Sequence, residues 1–186
     1  MLSSTQLQIA WGLVDLYWRQ RSDPDSSFSR VSELISVCWF RIIGVIDRKE
    51  LTPRTHYAGY LVFKLAHDAS GLSSPRQVSF VDVGGQRMGL VRAVSFHPCN
   101  RPSCTAMTAG EAPHEHEEEG GGGVRVVRYP RQRTDGWLEL EMGDFRTIAG
   151  ADDDSAADVR MEVCEIEELL WKKRLIFQGI EIRPKN

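Results

Sequence analysis

CWFRIIGVIDRKELTPRTHYAGYLVFKLA, residues 38–66, is the stretch whose reading decides the fold. Two apolar runs rich in β-branched and aromatic residues, Cys38 to Ile46 and Tyr57 to Ala66, flank a polar connection in which Pro53 prevents one continuous helix. The segment reads as strand, turn, strand. Neither run alternates cleanly: Trp39, Phe40, Ile42, Ile43, Val45 and Ile46 put apolar groups on both faces, as do Tyr60, Leu61, Val62 and Phe63. Strands that are hydrophobic on both faces belong at the centre of a sandwich rather than at its rim.

Toward the N-terminus, QLQIAW (6–11) and LYWRQR (16–21) read as two short strands, and the GLVD between them is short enough for a hairpin that brings Trp11 and Trp18 together. SDPDSSFSR (22–30) is a turn-rich loop, and VSELISV (31–37) is expected to begin as one helical turn capped by a serine. Toward the C-terminus, QVSFVDV (77–83) and Met88 to Phe96 form a hairpin through Gly84-Gly85. Composition then changes at His97, and residues 98–123, ending in HEHEEEGGGG, read as a disordered insertion without a core. Strand character resumes in VRVVRY (124–129), WLELEM (137–142), VRMEVCEI (159–166) and LIFQGIEI (175–182), with Gly179 marking a bulge or close contact. In WLELEM, Leu138, Leu140 and Met142 share the buried face, leaving Glu139 and Glu141 to a solvated one. The pattern predicts a single all-β domain over residues 1–186, an antiparallel β-sandwich or jelly roll with long loops.

Of the 186 residues, 41% are hydrophobic and 26% charged, a globular composition. The formal net charge of -3 argues against a general electrostatic grip on nucleic acid or an anionic membrane. No apolar run is long enough to span a bilayer. MLSSTQLQIAWG lacks the basic start and apolar core of a secretory signal, so a cytoplasmic location, with the nucleus as a second compartment, is expected.

The four cysteines show no framework spacing. Cys38 and Cys164 read as buried small hydrophobes, while Cys99 and Cys104 flank NRPS in a loop without a second ligand pair at zinc-site spacing. His114 and His116, in a glycine-rich charge run, lack the fixed geometry of a dedicated site. No metal and no cofactor are expected. Nor is catalysis, since there is no GxSxG, HExxH or phosphate loop, and Glu139 and Glu141 do not straddle a bond as a glycosidase pair must.

Trp39 with Gly44, LTPRTHYAGYLVFKLA (51–66), DGWLELEMGDF (135–145) and IFQGIEIRPK (176–185) resemble the signature of the phloem protein 2 family of plant lectins, which includes the tobacco leaf lectin and many F-box proteins. The resemblance spans nearly all of the chain outside the insertion. It implies the same β-sandwich, and it implies binding of glycans or glycoproteins that contain N-acetylglucosamine. Two tryptophans in a similar W-x6-W context and two acids spaced seven apart are implicated in sugar binding in the family. The resemblance carries those roles to Trp11 and Trp18 as stacking rings, and to Asp158 and Glu165, within DVRMEVCE, as hydroxyl acceptors.

Three features depart from the family pattern. Gln20 stands where a third tryptophan is common, Asp158 is one methylene shorter than the usual glutamate, and the lysine cluster of the tobacco protein has no counterpart. On a regular strand, residues seven apart also point to opposite faces, so a bulge or an early strand start is needed to bring the two acids together. The alternative reading is a protein-interaction module: many relatives carry an F-box ahead of this domain as ubiquitin-ligase adaptors, and this chain begins only a few residues before the lectin-like region.

Overall fold

The computed structural model describes residues 1–73, 77–102, 104, 114–120, 123–147 and 158–185. Among these, the strands in chain order are β1 (Leu2–Ser3), β2 (Gln8–Ile9), β3 (Trp18–Arg21), β4 (Val31–Leu34), β5 (Phe40–Ile46), β6 (His56–Ser70), β7 (Val78–Val83), β8 (Gln86–Val94), β9 (His114–Gly120), β10 (Gly123–Tyr129), β11 (Arg131–Gln132), β12 (Leu138–Arg146), β13 (Val159–Glu165) and β14 (Lys173–Pro184). The only helical elements among the described residues are two three-residue 3-10 turns, Ser4–Gln6 and Arg48–Glu50. No helix among them is long and apolar enough to cross a membrane.

The strands build two sheets. One runs β11-β12-β6-β14-β4-β3, with β1 also pairing β14; the other runs β2-β5-β13-β7-β8-β10-β9. All pairings are antiparallel except β10 with β8. The two runs that lack alternation, now β5 and β6, lie inside opposite sheets, β5 between β2 and β13 and β6 between β12 and β14. Phe63 of β6 and Phe40 of β5 each pack edge-on against Phe96, with ring centres 5.2 and 5.7 Å away. The absence of alternation in β6 has a direct cause: Leu61 and Phe63 enter the main core, while Val62 turns outward into a second cluster with Val31, Trp137 and Ile176. That outer cluster is sealed by the Trp137 indole N–H donating to the Asp25 carbonyl at 2.9 Å and by the Lys64 ammonium 4.4 Å from the ring centre.

The β7–β8 hairpin forms as read, with Gly84 and Gly85 both at positive φ, 58° and 78°, as a tight two-residue turn requires. Gly179 sits at a register shift in β14, where β1 passes so close that a side chain would strike the Leu2 carbonyl.

Four local expectations are corrected. Val31–Leu34 is a strand, fully buried between β3 and β14, because two sheet partners satisfy its backbone better than one isolated helical turn could. Residues 6–21 form no hairpin: β2 pairs with β5 in one sheet and β3 with β4 in the other, and the chain between them crosses through successive turns. Within the insertion expected at 98–123, His114–Gly120 is a strand paired along its length with β10; residues 103, 105–113 and 121–122 lie outside the described residues. Finally, Glu139 and Glu141 are not solvated. They are 2% and 8% exposed, Glu139 held by Arg133 and Arg183 and Glu141 by Arg128 and Lys185. Glu162 of the central β13 is likewise buried, paired with Arg41 and Arg160.

Candidate ligand-binding cleft

The crossing segment after β2 begins with Trp11, a non-glycine residue at φ 61°, followed by turn hydrogen bonds from Gly12 N–H to the Ile9 carbonyl and from Val14 N–H to the Trp11 carbonyl, both 2.9 Å. This backbone turns the Trp11 ring outward, 51% exposed, where it meets Tyr17 and Trp39 edge-on at 6.0 and 5.9 Å. These rings, with Val37, Cys38 and Trp171, line a cleft of 160 Å³. Every lining side chain is uncharged. Trp171 is 64% exposed at the mouth, beside a loop that also exposes Ile166, Leu169 and Leu170.

Two sequence-predicted site residues brace this cleft without opening onto it. Trp18 is 2% exposed, its ring packed edge-on against Phe177, and its indole N–H donates to the Ala10 carbonyl at 3.0 Å, directly behind Trp11. It offers no free face for stacking. Glu165 is 1% exposed and ion-paired with the equally buried Lys172, while accepting the backbone N–H groups of Glu167 and Glu168 at 2.8 and 2.6 Å. The Lys172 ammonium also donates to the carbonyls of Cys38, Glu168 and Leu170 at 3.0, 2.8 and 2.8 Å. Paired backbone hydrogen bonds between Val37 and Lys172 complete the clamp. The Glu165–Lys172 pair thus holds the 166–171 loop, and with it Trp171, against Cys38 and Trp39.

Asp158 lies elsewhere. β13 is regular, so Asp158, just ahead of it, and Glu165, at its end, lie about 23 Å apart at 3.3 Å per residue, and the two acids do not meet. Asp158 is exposed beside the Gly84-Gly85 turn and lines a broad charged groove of 630 Å³ with Arg41, Asp82, Arg87 and Arg160 among its walls. Gln20 does not line the cleft; it donates to the Ser32 hydroxyl across β3 and β4 at 2.6 Å.

The sequence reading missed Tyr17, Trp39 and Trp171 as lining residues. A signal existed in ELLW (168–171), four residues with three large apolar side chains ahead of the last strand and no alternation to bury them. A second constellation was also missed: Cys99, Cys104, His114 and His116 bring their donor atoms within 4.8 Å of one another. They gather against β9 and β10, at the opposite end of the sheet order from β2 and Trp11.

The profile of the phloem protein 2 family matches residues 1–184. The chain is similar to three proteins of Arabidopsis thaliana: the putative F-box protein PP2-B8, 34% identical over 186 residues; the F-box protein PP2-B1, 35% identical over 213; and the F-box protein PP2-B10, 36% identical over 184. The matches take in 100%, 100% and 99% of this chain but only 56%, 62% and 59% of those proteins, so the chain spans somewhat more than half the length of these relatives. With a two-sheet sandwich in place and a family match running from end to end, the chain belongs to the phloem protein 2 family, a family of phloem lectin-type domains.

Proposed function

We propose that this domain binds carbohydrate at the aromatic cleft, and that its ligands are glycans bearing N-acetylglucosamine, such as chitin oligomers or the core of N-linked glycans. The observation that carries this reading is the uncharged cleft walled by Trp11, Tyr17, Trp39 and Trp171. A sugar ring has an apolar C–H face that packs on an indole and a rim of hydroxyls that needs polar partners. At 160 Å³ the cleft is small against the roughly 300–1,000 Å³ of drug-sized sites. That size suits one ring held inside, with the next running out over exposed Trp171. Trp11 stacks; Trp18 and the Glu165–Lys172 pair act as supports, and Asp158 lies too far away to share the same ring. Affinity for such a shallow site falls in the roughly millimolar to micromolar range, about 4 to 8 kcal/mol.

A second reading is favoured by the exposed apolar loop, Ile166, Leu169, Leu170 and Trp171, and by the F-box names of the relatives. In it the domain recruits a protein substrate for a ubiquitin-ligase adaptor. One experiment separates the two. The domain is immobilised and offered a panel of glycoproteins before and after enzymatic removal of N-glycans, alongside calorimetric titration with chitotriose. Capture that vanishes on deglycosylation, with chitotriose binding, supports the sugar reading. Capture that survives deglycosylation, with no chitotriose heat, rejects it in favour of protein recognition.

A further inference from the structure

At the free edge of the second sheet, His114 and His116 occupy alternate positions of β9 and so project from the same face of the strand. Their Nε2 atoms face each other at 2.8 Å, and the Nε2 of His116 also lies 3.1 Å from the Cys104 thiol. Cys99 closes the group: one sulfur or nitrogen from each of the four residues falls within 4.8 Å of all the others. All four are at least half-buried, with His114 9% exposed, and both cysteines are free thiols.

We propose that Cys99, Cys104, His114 and His116 form a structural zinc site. The argument rests first on the donor set. Two sulfurs and two imidazole nitrogens complete a tetrahedron with no open position, the arrangement of structural rather than catalytic zinc. Soft thiolates combined with imidazoles select zinc over calcium, magnesium or manganese. Zinc–sulfur bonds of about 2.3 Å and zinc–nitrogen bonds of about 2.0 Å imply edges of roughly 3.3 to 3.8 Å. The observed separations, from 2.8 Å to within 4.8 Å, bracket that range, so side-chain rotation of about an ångström suffices.

The second support is the scaffold. The Cys104 N–H donates to the Arg101 carbonyl at 2.9 Å, which ties Cys104 back to the segment that follows Cys99. Arg101 then ties that loop to β9, donating to the Glu117 carbonyl at 2.8 Å and to the Glu118 carboxylate at 2.9 Å. Tyr129 donates to the same carboxylate at 2.7 Å and lays its ring beside both imidazoles, with centres 5.8 and 5.7 Å away. On the other face of β9, Arg128 joins Glu115 to Glu141 of β12 and fixes the strand in place. Loop and strand are therefore positioned by groups that are not themselves ligands, as durable metal sites require. A disulfide would use the two cysteines but leave the convergence of two imidazoles on them without a purpose. The zinc site would staple the loop after β8 to the edge strand, replacing contact area that this outlying hairpin lacks.

The test uses the whole chain, purified under reducing conditions. Zinc is quantified by elemental analysis after dialysis, and cobalt(II) is titrated as a spectroscopic substitute. The expected results are equimolar zinc and the intense visible bands of tetrahedral, thiolate-ligated cobalt. Cys104→Ser and His116→Asn should each weaken zinc binding by more than the roughly 10- to 100-fold seen when only an outer hydrogen bond to a metal ligand is lost, with unchanged far-ultraviolet circular dichroism. Octahedral cobalt spectra, zinc removed by simple dialysis, or a Cys99–Cys104 disulfide in the purified wild-type chain would each overturn the proposal. Because the wild-type result decides the matter alone, a variant that fails to fold does not rescue it.

Discussion

Trp11 and Trp18 look alike in the sequence, and their environments make opposite predictions. A non-glycine residue at positive φ costs about 1 to 3 kcal/mol and is retained where the surroundings or the function demand it; Trp11 sits at φ 61° with half of its surface open. Trp11→Gly therefore relieves strain while removing the ring. Stability should stay within about 1 kcal/mol of wild type, or rise, while the chitotriose signal disappears. Calorimetry and urea denaturation on the same preparation check both halves, and retained binding would remove Trp11 from the site. Trp18→Ala instead opens a hole beside Phe177 and strips the hydrogen bond to Ala10, at a cost of about 3 to 5 kcal/mol in the unfolding free energy read from urea denaturation. Any loss of binding in that variant reports the collapse of a support. Lys172→Met makes the same point for the charged brace: it takes the countercharge from the buried Glu165 carboxylate and the donor from the Cys38, Glu168 and Leu170 carbonyls, and should cost about 3 to 5 kcal/mol, because removing one partner of a buried pair leaves the other uncompensated.

At the scale of elements, β5 shows how tightly the sheets approach. A Cβ on Gly44 would lie 2.8 Å from Ile180 Cδ1, 3.1 Å from Leu2 Cδ1 and 3.3 Å from Leu7 Cδ2, contacts that reach across to β1 and β14. Gly44→Val should therefore destabilise by about 1 to 3 kcal/mol through overpacking, read as a lower urea midpoint at unchanged slope. The doubly apolar runs made β5 and β6 legible as interior strands, and Gly84-Gly85 made the β7–β8 hairpin legible, because both signals are local. Sheet membership was not. β2 and β3 are two and four residues long, and nothing within QLQIAWGLVDLYWRQR records that one strand joins each sheet. Alternation also misjudged Glu139 and Glu141. It assigns a face correctly but cannot register that arginines and lysines from neighbouring strands cover that face. The candidate site was half legible for the same reason: Trp11 could be named from its context, whereas its neighbours Trp39 and Trp171 arrive from segments 28 and 160 positions away. The cysteine and histidine pairs become neighbours only once β9 is laid against β10.

Those covered glutamates form part of a charged layer that extends over the molecule and makes its stability depend on acid. Glu33 gathers Arg19, Arg21 and Arg174, each at 2.8 Å, and Asp144 is hydrogen-bonded to His56 at 2.8 Å and paired with Arg92. Burial by itself would raise both carboxyl pKa values. For Glu33 the hydrogen bonds from Arg19 and Arg174 and the charges of Arg19 and Arg21 outweigh it, and for Asp144 the His56 hydrogen bond and the charges of Lys185 and Arg92 do so. Both groups are held below their ordinary values of 4.5 and 3.8. A depressed folded-state pKa means that the unfolded chain binds protons first on acidification, so the stabilisation is complete above the unfolded value and drains away as pH falls through the folded one. With a net charge of only -3, overall repulsion is a weak competitor near neutrality. The contribution of these two groups to urea-unfolding free energy should be level from about pH 5 to 8, begin to fall near 4.5 as Glu33 is engaged, and fall further below 3.8 with Asp144. In the double variant Glu33→Gln/Asp144→Asn, stability at pH 7 should be lower and the decline below pH 4.5 shallower than in wild type. An equally steep acid decline in the double variant would show that other carboxylates govern the transition, and that these two carboxylates and the basic groups around them have no hold on the sandwich beneath.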